Sequence, residues 1–451
     1  METTQWDSLT FADFKTAMST KNRLSTIDPS KSPFFYGYVI LIFGTLGIYC
    51  SIPGQTIGVS VFTDPVKDAL GLSRNQFSNA YMLGTIGSSL VIGRAGVWFD
   101  KYGARYVAFF ATLVLAAALM LCSWSVQMST YAKLLLDTNS WTVPFALMTA
   151  LFFILRFSGQ GVLTMASRNV IMIWFDKNRG KMNAISSVAI SFGFSSSPLW
   201  VNALIENYTW QSAWQFMAAG LVVFSFLVLQ FYKNRPEEHG LLPDGADVES
   251  EEKSKAMPLA KQFTLSDARK TRAFWMYAMI LSFNSFFITG LTFHVVSVFA
   301  SEGFPKADAI AIFLPMSVVA VSISLLFNYL SDYLQLKLYL YLMILGGILA
   351  STGFLFLSSD IGIPFLIGGL GIMAGFFAVL NAIAWPRFYG RNHLGAITGK
   401  VMSFIILASA LAPPIFSFCF STFGSYRLLG YLGLAFLLYV GLASLRANNP
   451  Q

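Results

Sequence analysis

The stretch Gly96-Val97-Trp98-Phe99-Asp100-Lys101-Tyr102-Gly103-Ala104-Arg105 is a short, charged turn between two long apolar segments. The segments, Phe77–Phe99 and Tyr106–Val126, match the length of about 20 apolar residues that a helix needs to cross a bilayer. The pattern therefore predicts two membrane-spanning helices joined by a tight elbow. This elbow decides how the rest of the chain is interpreted.

The residue types in the elbow suit a close contact with another helix. Gly96 would let two helices approach closely, and Gly103 would adopt a turn conformation that other residues resist. Asp100 could cap the N-terminus of a neighbouring helix or pair with a cation. Lys101 and Arg105 would hold the elbow on the positively charged side of the membrane.

The composition extends this interpretation to the whole chain. Of 451 residues, 55% are hydrophobic and 12% are charged, whereas a soluble domain carries about 25% charged residues. The sequence predicts an all-α integral membrane protein with twelve transmembrane helices. The apolar segments are Tyr36–Phe62, Phe77–Phe99, Tyr106–Val126, Phe145–Phe175, Ala184–Ile205, Trp214–Phe231, Phe274–Phe299, Ile310–Leu330, Leu338–Leu357, Ile361–Trp385, Leu394–Phe420 and Leu428–Leu445.

The net charge of +8 comes from lysines and arginines that gather in the termini and the even-numbered loops. The positive-inside rule then places both termini in the cytoplasm, and an even number of helices agrees with that. The charge is therefore no sign of nucleic-acid binding. Cys50, Cys122 and Cys419 lie in apolar segments and are interpreted as packing residues, not as disulfides or metal ligands.

A polar stretch divides the chain into two similar halves. The elbow pattern Gly96-x-x-x-Asp100 is echoed by Asn328-x-x-x-Asp332, with Lys337 in the place of Arg105. The second elbow has lost both glycines, so we expect one of the two gates to be less tightly built. The predicted organisation is an N-terminal segment (1–33), a six-helix bundle (34–232), a central cytoplasmic loop (233–272), a second six-helix bundle (273–446) and a C-terminal tail (447–451).

The first elbow resembles the G-x-x-x-D-[RK]-x-G-x-[RK] elbow of the major facilitator superfamily of transporters. The resemblance implies two pseudo-symmetric six-helix bundles, with a solute site between them lined by helices one, four, seven and ten. It also implies transport by alternating access, with a gating role for the elbow residues. These are Gly96, Asp100, Lys101, Gly103, Arg105, Asp332 and Lys337.

Further strings resemble the monocarboxylate-porter and oxalate/formate-antiporter branch, in particular its bacterial members. They are Arg156–Gly161, Trp174–Gly180, Arg235–Gly245 and Gly390–Ile397. The resemblance implies a carrier of a small, monocarboxylate-like organic anion in a bacterial inner membrane, and it leaves open whether transport is coupled to protons. The chain departs from the branch in having no charged residue between Tyr36 and Phe62, where the animal carriers have a lysine.

Polar and ionisable side chains inside the spans are the candidates for solute binding, because burying them in a bilayer is costly. Arg156 lies deep in helix four, where it could neutralise an anion or, alternatively, brace the helix. Arg168 lies nearer the cytoplasm, where it could bind solute on the inward side. We favour the alternative that it snorkels to the headgroups or pairs at a gate. His294 could carry a proton or could be a packing residue. The full candidate set is Arg156, Gln160, Tyr49, Gln55, Asn284, His294, Asn381, Trp385 and Lys400.

Other functions have less support in the sequence. A facilitator-type carrier of a larger or neutral solute, such as a siderophore, peptide-like metabolite, sugar or drug, stays open because the chain holds 43 phenylalanines and 10 tryptophans. An enzyme or a primary pump is disfavoured because the sequence has no nucleotide-binding, zinc-protease or serine-hydrolase motif. We therefore expect a monomer whose partners are a solute, protons and the lipid bilayer, with no cofactor.

Overall fold

The structure is a computed structural model that describes residues 27–245 and 261–451. In these residues, eleven helices are long and apolar enough to cross a membrane. One of them, Arg74–Ser123, contains 50 residues and is interrupted at Gly103, whose backbone leaves the helical conformation (φ +82°, ψ +165°). Counting its two arms separately gives twelve spans, so the structure confirms the predicted all-helical membrane fold.

The spans are labelled α1 to α12 in chain order, and α2 and α3 are the arms of Arg74–Ser123 before and after Gly103. The others are α1 (Gly37–Ser60), α4 (Thr142–Trp174), α5 (Arg179–Asn207), α6 (Trp210–Phe231), α7 (Arg272–Ser301), α8 (Ala307–Leu330), α9 (Leu336–Leu355), α10 (Gly362–Tyr389), α11 (Leu394–Phe423) and α12 (Arg427–Ser444). The N-terminal half is α1–α6 and the C-terminal half is α7–α12.

Helix α1 is broken, although the sequence predicts one uninterrupted apolar segment. Its first part ends at Cys50, a 3₁₀ turn covers Ile52–Gly54, and the helix resumes at Thr56. Pro53 has no backbone N–H to continue the helix. A Cβ atom on Gly54 would lie 2.5 Å from the carbonyl oxygen of Leu155 in α4. The break therefore lets the backbones of α1 and α4 approach closely.

The two halves meet where α2 crosses α11 and where α5 crosses α8. At the first crossing, a Cβ atom on Gly96 would overlap the carbonyl oxygen of Gly395, and one on Gly399 would lie 2.9 Å from the Gly96 Cα. Further along the same crossing, Ser403 donates a hydrogen bond to the Ser89 carbonyl. Small residues thus bring these two helices into backbone contact, as is common between helices in membranes.

A candidate solute cavity beside a closed gate

The carboxylate of Asp100 in the first elbow caps a helix of the opposite half. Its Oδ1 accepts a hydrogen bond from the Gly395 amide and its Oδ2 accepts one from the Ala396 amide, both at 2.7 Å. These amides belong to the first turn of α11, where backbone N–H groups have no partner within the helix and the helix dipole favours a negative charge. Asp100 therefore ties the N-terminal half to the C-terminal half.

The second elbow makes the reciprocal contact. Asp332 accepts hydrogen bonds from the amides of Gly180 at 2.9 Å and Lys181 at 3.3 Å, in the first turn of α5. Burial raises the pKa of the Asp332 carboxyl above its usual value, and the two amide hydrogen bonds offset only part of that rise. Asn328, which takes the place of Gly96, accepts a hydrogen bond of 2.6 Å from the Asn183 side chain. We use the term gate for the two carboxylates together with the backbone amides that they cap.

The second contact differs from the first both in its packing and in its capping bonds. Where Gly96 gives backbone packing, Asn328 gives a buried hydrogen bond across the halves. The capping bonds of Asp332 are longer than those of Asp100. On the same side, Arg391 of the C-terminal half donates to the Ile173 carbonyl at 2.7 Å and pairs with Glu237 at 2.7 Å.

Three other predicted gating residues hold their own half together. Gly103 leaves room for the Asn234 side chain, whose oxygen accepts a hydrogen bond from the Arg105 amide at 3.1 Å. The Arg105 guanidinium donates to the Leu229 carbonyl at 2.7 Å. Lys337 donates to the Leu445 carbonyl and the Asn448 side chain, beyond α12. These residues fix the elbows, whereas Asp100 and Asp332 bridge the halves.

We expect Asp100→Ala to open the gate more than Asp332→Ala does. Removing a capping carboxylate costs about 0.5–2 kcal/mol, and the shorter bonds of Asp100 place it at the upper end of that range. Spin labels at residues 177 and 270, both exposed and in opposite halves, would report the separation of the halves on this side. Equal label distances in the two variants and the parent would contradict the capping role.

A cavity of about 260 Å³ lies between the halves, next to the gate. Helices α1, α4 and α10 line it, as the resemblance implies, but its other walls come from α5 and α8, and α7 does not contribute to its lining. The lining mixes apolar side chains with hydroxyl and amide groups. The polar members are Arg168, Asn183, Ser186, Ser187, Ser191 and Ser324.

Arg168 is the charged residue in this lining, and the described part of the chain gives it no hydrogen-bond or ion-pair partner. The next residue, Asn169, donates to Thr398 of α11 at 2.7 Å, so the α4 backbone is fixed to the opposite half at this level. A guanidinium that faces a small cavity without a carboxylate is a ready counter-charge for an anion. The sequence left a solute role for Arg168 open but favoured snorkelling to the headgroups or pairing at a gate.

The predicted solute ligand Arg156 lies inside the N-terminal half and is 1% exposed. It occupies a π-helical segment of α4, Arg156–Leu163, that faces the break in α1. Its guanidinium donates to the Gly54 carbonyl at 3.1 Å and lies 5.1 Å from the centre of the Tyr81 ring. In this arrangement Arg156 braces α1 against α4 and does not reach the cavity.

We expect Arg156→Met to reduce stability and to leave solute affinity within about twofold. The variant leaves the Gly54 carbonyl without its charged donor, which costs roughly 1.5–3 kcal/mol. Thermal unfolding with and without solute measures both effects. A loss of affinity larger than the loss of stability explains would place Arg156 at the solute instead.

The other predicted ligands in the N-terminal half lie outside the cavity lining. Gln55 donates to the hydroxyls of Ser51 and Thr164 at 3.0 Å, which ties the break in α1 to α4. Tyr49 packs its ring over Gly193 of α5. The side-chain oxygen of Gln160 is buried without a hydrogen-bond partner. The described contacts of these side chains therefore lie within the N-terminal half.

The predicted ligands in the C-terminal half are also outside this lining. His294 shares a hydrogen bond of 3.0 Å with the Pro413 carbonyl and stacks on Phe416, which matches the packing alternative. Lys400 lies 4.7 Å from the ring centre of Phe404. Trp385 is fully buried, and Asn284 and Asn381 are 6% and 7% exposed. The structure therefore does not bring the nine predicted ligands together.

Comparison with known proteins identifies the family of the chain. The family model described as Major Facilitator Superfamily matches residues 34–384, well over half of the chain. The chain belongs to the Major Facilitator Superfamily. A curated relative of this facilitator, "MFS-type transporter 1" from Ophiocordyceps sp. (strain BCC 1869), is 24% identical over 208 residues, or 45% of this chain. The match spans about two fifths (41%) of that relative's length.

Solved facilitator structures share the fold over most of the chain. A bacterial homologue of the iron transporter ferroportin, in an outward-facing state, covers 90% of this chain and 99% of its own, with TM-score 0.64 and 14% identity. The human organic anion transporter MFSD10 (TETRAN) covers 92% of this chain and 100% of its own, with TM-score 0.61 and 14% identity. The proton:xylose symporter XylE covers 91% of this chain and 94% of its own, with TM-score 0.59 and 17% identity. At these identities the likeness shows the fold alone.

Proposed function

We propose that this facilitator is a secondary carrier for a small organic anion and that Arg168 is the counter-charge for that anion. The observation that carries the proposal is a guanidinium facing a cavity between the halves with no carboxylate in the lining. The planar guanidinium matches a carboxylate in two parallel hydrogen bonds. A fixed positive charge in such a small cavity would exclude cations and favour anions.

The remaining lining supports an anion that has both a charged and an apolar part. Ser187 and Ser191 offer hydroxyl donors, while Ile48, Ile171 and Val321 offer apolar surface. A volume of about 260 Å³ suits a compact, monocarboxylate-like solute better than a siderophore or a peptide. Neutral sugars remain an outcome of the test below, because hydroxyl groups can bind them as well.

We propose that the gate closes the cytoplasmic side, so the structure represents the outward-facing arrangement. The basic residues around the elbows support this orientation through the positive-inside rule. Transport would follow when solute binding allows the gate contacts of Asp100 and Asp332 to break and the halves to rock. The bilayer would be a cell membrane, and the bacterial inner membrane is our proposal for it.

Proton coupling has weaker support than anion binding. The described cavity lining contains no carboxylate or histidine, and His294 is held between α7, α11 and α12 by its bond to Pro413. We therefore propose that the solute gradient alone drives transport. Uptake into proteoliposomes with and without an imposed pH gradient tests this, and uptake that needs the gradient would establish symport instead.

A matched pair of probes tests the proposed solute class. Lactate and lactamide have nearly the same shape but differ in charge, so thermal stabilisation of the purified protein by each isolates the anion. We expect lactate or a related carboxylate to raise the melting temperature and the matching amide to leave it unchanged, because a ligand stabilises the state it binds. Stabilisation by amides or by xylose alone would overturn the anion proposal and support a carrier of neutral solutes.

A further inference from the structure

A second cavity, of about 420 Å³, lies at the first elbow, beside the gate residue Asp100. Its walls come from Phe99–Tyr106, from the segment after α6 that contains Lys233–Arg235, and from Arg391 of the C-terminal half. The cavity therefore touches both halves beside the Asp100 contact. Neither the solute cavity nor the gate accounts for it.

The lining of this elbow cavity is strongly basic. It contains five lysines and arginines (Lys101, Arg105, Lys233, Arg235 and Arg391) and two carboxylates (Asp100 and Glu238). One of the carboxylates, Asp100, already accepts two amide hydrogen bonds. Burial, together with the smaller effect of the nearby Arg105 guanidinium, lowers the pKa of Lys233 to about 8. This crowding of positive charge is what a bound anion would relieve.

An apolar crevice of about 610 Å³ begins where the elbow cavity ends. It runs between α2, α3 and α4, and its walls include Trp98, Phe110, Val114 and Phe157. Trp98 is 44% exposed, Phe110 60% and Val114 42%, on the outside of the bundle where lipid would lie. A crevice of this kind in a membrane-spanning surface suits a hydrocarbon chain.

Two tyrosines, Tyr102 and Tyr106, line both the basic cavity and the apolar crevice. Tyrosine favours the boundary between headgroups and hydrocarbon, because its ring is apolar and its hydroxyl is polar. The two cavities are therefore the two ends of one amphipathic site. We propose that this site binds an anionic phospholipid, with its phosphate among the basic residues and one acyl chain in the crevice.

The position of the basic cavity next to the apolar crevice favours a lipid over a free anion or a protein partner. A free phosphate would use only the basic end, and an apolar protein segment would not need it. Anionic lipids are also enriched in the cytoplasmic leaflet and attract basic residues at its surface. Because the elbow cavity includes Arg391 of the C-terminal half, the bound lipid would hold the halves together and stabilise the closed gate.

Native mass spectrometry of the purified full chain tests the site. We expect the protein to retain one phosphatidylglycerol molecule and to exchange phosphatidylcholine freely. Lys101→Gln removes a charge at the basic end and should reduce retention about tenfold. Val114→Trp fills the crevice from an exposed position and should reduce it by a similar factor. Phosphatidylglycerol should also raise the melting temperature of the parent more than that of either variant.

Matched controls separate this site from general effects of charge or bulk. Lys177→Gln removes an exposed lysine outside the cavity, and Val223→Trp adds the same bulk to an exposed position on α6. Both should retain lipid as the parent does. Equal retention of the two lipids, or unchanged retention in both test variants, would overturn the proposal. Full displacement by glycerol phosphate, with no effect of Val114→Trp, would show a free-anion site instead.

Discussion

Arg168→Gln should abolish solute-dependent stabilisation and lower anion uptake roughly 100-fold, which corresponds to about 2.7 kcal/mol of binding free energy. The reason is that Arg168 is the charged group in the cavity lining, so its replacement leaves a carboxylate to be desolvated without a counter-charge. Glutamine removes the charge and keeps a hydrogen-bond donor on a shorter side chain. Uptake into proteoliposomes and ligand-induced melting shifts measure it.

Two variants sharpen that experiment. Arg168→Lys keeps the charge but loses the planar fork, and we expect an intermediate loss of about tenfold. Arg94→Gln removes an exposed arginine from α2 that does not line the cavity, and it should transport as the parent does. Normal anion uptake by a folded Arg168→Gln variant would overturn the assignment of Arg168.

Gly96→Val should prevent the closed gate from forming and shift the chain to an arrangement open on the elbow side. An added Cβ would overlap the Gly395 carbonyl oxygen, and that atom belongs to the backbone and cannot rotate away. The helices α2 and α11 would have to separate, which also pulls Asp100 from the amides it caps. We expect a larger separation than either capping variant gives, because the overlap excludes the closed contact entirely.

The matched control is Gly93→Val, one turn earlier on the same helix, where an added Cβ meets nothing within 4 Å. Both variants lose the same backbone flexibility, so a difference between them reports the crossing with α11. Spin labels at residues 177 and 270 would show a longer distance in Gly96→Val and the parent distance in Gly93→Val. The same distance in both would contradict the proposed packing.

The fold was largely predictable because its signals are local. Apolar length and charge asymmetry predict the twelve spans. The sequence left open whether Asp100 caps a helix or pairs with a cation, and in the structure Asp100 and its counterpart Asp332 both cap helices. The break in α1 was not predicted. Pro53 can be tolerated within a transmembrane helix, and only the approach of Gly54 to α4 shows why the helix breaks there.

The candidate site was much less predictable from the sequence. Arg156 and Arg168 are both arginines in one apolar segment, and depth in the membrane favours Arg156. Depth does not show which way a side chain points, and the π-helical segment turns Arg156 toward the Gly54 carbonyl. Arg168 lines a cavity that forms where the two halves meet. That meeting depends on contacts between residues more than 200 positions apart, such as Asn169 with Thr398.

Each half supplies the carboxylate that caps a helix of the other half. Neither half alone therefore satisfies all its backbone amides at this surface. The first turn of α11 relies on Asp100, and the first turn of α5 relies on Asp332. Each half, expressed alone, would expose these amides to water and would recover their partners only when its counterpart docks. Co-expressed half-chains should therefore find each other through the same reciprocal contacts that, in the proposed transport cycle, the intact chain would have to break.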